Sequence, residues 1–193
     1  MAISDLLAAL EASSIATSIR ESLYLFPFIE AAHVIGLTMV FGTVAIVDLR
    51  LLGLASTGRP FSRIASDIMR WTWAAFALTA LTGLLMFSTN AAVYYHNAYF
   101  RAKMAMLVCA GVNIVFFERT ARRSLHRWDR DVAAPRAGRT AAVVSLVLWI
   151  GIIFLGRWIG FTTTHTNLKP DTDFNIDELF PGGNEPAKSP APR

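Results

Sequence analysis

Four apolar runs, each long enough to cross a bilayer, constrain this chain more than any other feature. A membrane-spanning helix needs about 20 mostly apolar residues. Four such stretches occur at about residues 24–47, 68–87, 100–117 and 140–161. The first is closed by Asp48 and Arg50, and the third by Glu118 and Arg119. Composition agrees, since 54% of the 193 residues are hydrophobic and only 17% are charged. A soluble domain carries about a quarter charged residues. The expected fold class is all-α: an integral membrane four-helix bundle. A disordered chain, a disulfide scaffold and a soluble dinucleotide-binding enzyme are excluded. The single cysteine, Cys109, sits in an apolar run and reads as a small packing residue.

Orientation follows from the basic residues of the short loops. Arg50, Arg59, Arg63 and Arg70 follow the first span. Arg119, Arg122, Arg123, Arg127, Arg130, Arg136 and Arg139 follow the third, and the segment after the second span, STNAAVYYHNAY, has no Lys or Arg. The arginine-rich loops are therefore expected in the cytoplasm and both termini outside, in the periplasm of a bacterial inner membrane. Arginines distributed this way orient a membrane protein rather than bind nucleic acid. Trp71 and Trp73, and at the other end Tyr94 and Tyr95, suit the two interfaces.

Residues 2–20 lack a basic leader segment and contain Asp5 and Glu11, so no cleavable signal peptide is expected here. Ser4 reads as an N-cap, and Ile3, Leu7 and Leu10 share one face of an interfacial amphipathic helix. Residues 162–193 read as an outer tail. Its TDFNIDELF segment offers a docking surface for a redox partner, and its last dozen residues, rich in Pro and Gly, read as disordered. The expected partners are the lipid bilayer, that redox partner and further copies of the chain.

Ionisable groups inside spans are costly and mark function by default. Glu30 and His33 fall in the first span, Lys103 in the third and Arg157 in the fourth. At about 1.5 Å per residue, His33 and Lys103 each lie about 22 Å from the arginine-rich end of their spans, and Arg157 about 27 Å. Glu30 sits one turn from His33 on the same face. All four are thus expected to gather near the outer leaflet. Snorkelling is the alternative for Lys103 and Arg157. It is not open to His33, which has no long stem. His33 therefore reads as a haem axial ligand, a proton carrier or a packing residue. His96 and His165, both on the outer side, are candidate second ligands. Asn113, deep in the third span, and Asn97 are secondary candidates for the same site. No catalytic residue can be named.

The segments FPFIEAAHVIGLTMVFGTVAIVDLRLLG, NAYFRAK and LGRWIGF resemble a family of small bacterial integral membrane proteins of unassigned function, over roughly residues 20–161. More distantly, a His early in the first span and a Lys early in the third resemble the HemJ protoporphyrinogen oxidases and the CopD-type copper-resistance membrane domains. That resemblance implies haem binding and activity at His33 and Lys103. HemJ proteins differ in having a tryptophan-rich signature around the His and no acidic outer tail. The expectation is a b-type haem or quinone-associated redox protein. Its alternatives are a structural subunit without cofactor and a copper-handling transporter.

Overall fold

A computed structural model describes residues 3–167, with side chains to residue 162. Among these residues there is no strand. Four helices are long and apolar enough to cross a membrane, and the chain is a multi-pass membrane protein. They are α3 (Leu25–Leu52), α4 (Phe61–Thr89), α6 (Ala98–Arg119) and α8 (Arg136–Asn167). Each runs beyond its expected apolar stretch. At about 1.5 Å per residue α3 is about 42 Å long, more than a hydrocarbon core of about 30 Å requires. The additional turns carry polar and charged residues that the sequence reading had assigned to loops. The acidic and Pro-rich segments of the expected tail lie outside the described residues.

The N-terminal segment is two helices rather than one. α1 (Ile3–Glu11) and α2 (Ser14–Glu21) are separated at Ser13, whose Oγ accepts from the Ala16 N–H at 3.3 Å. Ser13 is thus the cap that stops one amphipathic helix running through. Ser4 lies inside α1, where its hydroxyl reaches Asp5. Both helices rest on the bundle. Arg20 donates to the Thr89 carbonyl at 2.9 Å, and Glu11 accepts from the Ala92 N–H at 2.8 Å. Ala92 belongs to α5 (Ala91–His96), a short helix in the arginine-free connection.

α3 packs on α4, α6 on α8, and α3 on α8. α4 and α6 do not approach backbone to backbone along their length. Aromatic rings bridge them at both ends. Phe87 stacks on Phe100 at 5.3 Å near the arginine-poor end, and Phe61 meets Phe117 edge-on at 5.9 Å near the other. The middle of the bundle is filled by Val40, Ala75, Trp149 and Ile152, with Met106 against them. Glycines set the closest approaches. A Cβ on Gly36 of α3 would come within 2.5 Å of the Thr79 hydroxyl on α4, so α3 and α4 interlock only because that atom is missing.

The arginine-rich end is a second packed layer. Leu51, Phe61, Ala121, Trp128, Ala134 and Ala142 form its core. Trp128 belongs to the short helix α7 (Leu125–Trp128) and donates its indole N–H to the Ala121 carbonyl at 3.0 Å. α3 ends at Gly53, whose φ of +77° is left-handed and whose missing Cβ leaves room for the Val132 carbonyl. The same closure is held by Arg50, which is fully buried. Its guanidinium donates to the carbonyls of Arg59, Val132, Asp129 and Asp131 at 3.0–3.4 Å. Arg50, expected to be an orienting loop charge, is the buried tie between the first and third connections.

Candidate functional site

His33 is half-buried on α3, with its ring against α4. A Cβ on Gly83 would stand 3.0 Å from its Cε1, so glycine provides the seat for the imidazole. Nδ1 lies 3.0 Å from the Thr79 carbonyl oxygen and 3.1 Å from the Thr82 hydroxyl. A carbonyl oxygen can only accept, so Nδ1 carries the proton and donates it. The Thr82 hydroxyl gives its own proton to the Leu78 carbonyl at 2.7 Å and is free to accept from the same Nδ1. In the neutral ring this fixes the tautomer and leaves the lone pair on Nε2. Ligand-binding histidines use this arrangement, with the distal N–H on a carbonyl and the other nitrogen as donor atom.

Lys103 enters from α6. Its Nζ lies 3.4 Å from where a Cβ on Gly156 of α8 would stand. The ammonium is close enough to His33 to act on it electrostatically. No carboxylate pairs with Lys103 among the described residues, where the ion pair is Arg122 with Glu118. His33 and Lys103 therefore form one polar patch: a lone-pair nitrogen and an uncompensated cation, lined by Thr79, Thr82, Gly83 and Gly156.

The other candidates are placed differently. Glu30 is exposed, one turn from His33. It faces Tyr94, whose phenol is pushed up first by burial and then by the Glu30 carboxylate. Arg157 is exposed, with its guanidinium over the Phe161 ring at 5.1 Å. Next in sequence to Gly156, it points about 100° round the helix from the Lys103 contact. The four charges expected at one point thus divide into a His33–Lys103 pair and two exposed groups. Asn97 caps α6, its Oδ1 accepting from Tyr99 N–H at 2.9 Å and Phe100 N–H at 3.3 Å. Its amide donates to Thr162 on α8 at 3.0 Å. Asn113 donates to the Ala141 carbonyl at 2.9 Å and ties α6 to α8 in the other half of the bundle. Both asparagines hold helices rather than face His33. His96 is exposed, with Nδ1 on the Ala92 carbonyl at 2.8 Å. The side chain of His165 lies outside the described residues. No cluster of three or more His, Cys, Asp or Glu able to hold a metal ion occurs among the described residues.

Three positions escaped the sequence reading. Thr82, which shares the His33 proton, stands three residues after Thr79 and next to Gly83 on the same helix; that spacing was its only signal. Tyr94 had been read as an interface ring. Asp48 had been read as the polar residue that closes a span, yet it is 6% exposed, and its Oδ2 has no hydrogen-bond partner.

No curated protein and no solved structure matches the chain. A family model matches residues 19–162, from the second turn of α2 to the last described side chain of α8, and so takes in the whole bundle and the His33–Lys103 patch. The chain belongs to the family of unknown function DUF6644.

Proposed function

We propose that the chain is a quinone-associated membrane redox subunit whose site is the His33–Lys103 patch, near the outer leaflet of a bacterial inner membrane. The observation that carries this reading is an imidazole held at Nδ1 by the Thr79 carbonyl, beside a lysine that has no carboxylate paired with it among the described residues. A half-buried cation calls for an electron-rich partner, and a quinone carbonyl is one. Lys103 donates to that carbonyl and stabilises the negative charge that develops on it as electrons arrive. His33 accepts at Nε2 from the quinol hydroxyl, while the Thr79 carbonyl fixes the ring. The α4–α6 side, where the backbones stand apart, is the route by which an isoprenoid head group reaches the patch from the lipid. On this reading the arginine-rich loops face the cytoplasm, as their basic residues predict, and the redox partner docks outside, on the C-terminal segment.

A b-type haem on His33 is the second reading, favoured by the same Nδ1 tautomer. It demands more of the site, because α3 and α4 close on the ring at Gly83 and Lys103 fills the space beside Gly156. Two measurements test the readings. Titration of the detergent-purified chain with a short-chain ubiquinone, followed by tryptophan quenching, is expected to saturate. Lys103→Met is expected to weaken binding by about tenfold, a change of about 1.4 kcal/mol. Unsaturable quenching that is the same in both proteins overturns the quinone reading. A Soret band that disappears in His33→Ala establishes the haem reading in its place.

A further inference from the structure

We propose that Asp48 is a proton-binding site at the arginine-rich end of the bundle, a function independent of the quinone reading. Asp48 is 6% exposed, on the face of α3 that meets α8. Ser145 of α8 is the polar side chain that faces it, and its Oδ2 has no hydrogen-bond partner. An ionised carboxylate so enclosed needs a counter-charge. None reaches it. Arg50 is two residues away, and residues at that spacing do not face each other on a helix; its guanidinium is spent on four carbonyls. On α4, Arg63, Asp67 and Arg70 are exposed. On α6, Glu118 is paired with Arg122, and Arg119 is exposed. On α8, Arg136 and Arg139 are exposed. With no cation to pair it, a proton on the carboxyl removes the charge, and Ser145 then closes the α3–α8 contact against a neutral acid.

A larger cation needs a cage of about six oxygens, and one carboxylate with one hydroxyl does not supply it. The proton exchanges with the arginine-rich side. Asp48 and His33 lie about 22 Å apart along α3, and the layer of Val40, Trp149 and Ile152 between them offers no polar relay. α3 thus carries a proton acceptor near each end, with an apolar layer between.

The test is an infrared spectrum of the purified chain in nanodiscs at mildly acidic and at alkaline pH, beside Asp48→Asn and Ser145→Ala. The wild type is expected to show a protonated-carboxyl C=O band that is lost in Asp48→Asn. In Ser145→Ala, which leaves the carboxyl enclosed and without a cation, the band is expected to persist. Linkage gives a second readout that also requires folded protein. In the unfolded chain this carboxyl is ionised at neutral pH, so folding takes up a proton and rising pH works against the folded state. The wild type is expected to lose thermal stability from mildly acidic to neutral pH more steeply than Asp48→Asn. Absence of the band in the wild type, or its survival in Asp48→Asn, overturns the proposal. Should Asp48→Asn fail to fold, loss of the band in Ser145→Ala overturns it equally.

Discussion

Replacing Arg50 by alanine is expected to destabilise the bundle by about 3–5 kcal/mol, the range for breaking a buried charged network by removing one partner. The guanidinium is fully buried and bridges carbonyls from two different connections, residue 59 on one side and residues 129–132 on the other. Without it, several enclosed carbonyls lose their donors, each at about 1–3 kcal/mol before relaxation. For a chain of this size the loss corresponds to a drop of roughly 10 °C in Tm. Arg50→Lys is expected to recover less than half, because a single ammonium cannot reproduce the planar fork that reaches both connections. Thermal melts of the two variants at one scan rate decide it. A Tm for Arg50→Ala within about 2 °C of wild type, equivalent to less than about 1 kcal/mol, rules the tie out.

His33→Leu is the second large effect, and its signature is the opposite: a nearly intact fold with a disabled site. The lost hydrogen bonds to Thr79 and Thr82 cost about 1 kcal/mol net, because both groups keep partners within α4. Leucine fills the seat at Gly83. The ligand, by contrast, loses the only nitrogen in the patch that offers a lone pair among the described side chains. Quinone affinity is expected to fall at least tenfold while the melting curve moves by only a few degrees. A variant that binds as the wild type does makes the imidazole a packing group between α3 and α4.

The architecture was legible because its signal is long and redundant. Twenty apolar residues need no neighbour to identify them, and the four spans of the sequence reading are the cores of α3, α4, α6 and α8. What escaped depends on one atom meeting another across the bundle. Arg50 and Arg59 look alike in the sequence, yet the first is buried with a set of carbonyls and the second is exposed. Asp48 looks like a span boundary until its turn of helix is seen against Ser145. Depth along the helix axis placed His33 and Lys103 at one level. It gave no rotation about the axis, and rotation is what separates Arg157, over Phe161, from Lys103, beside Gly156. Asn97 and Asn113 were singled out as polar groups near membrane depth, and their amides are engaged in helix capping and cross-helix bonds.

The order in which the helices pack has a consequence for biosynthesis. The two extensive contacts, α3 with α4 and α6 with α8, each join neighbours in the chain, whereas the α3–α8 seam joins the first long helix to the last. Each half can therefore fold in the bilayer as an independent hairpin while the ribosome is still at work. The seam, with the carbonyls that Arg50 awaits from residues 129–132, cannot close until the second hairpin emerges. The molecule is in this sense two hairpins that meet late, and the connection between α4 and α6 is the natural place at which the gene could be divided into two cooperating pieces.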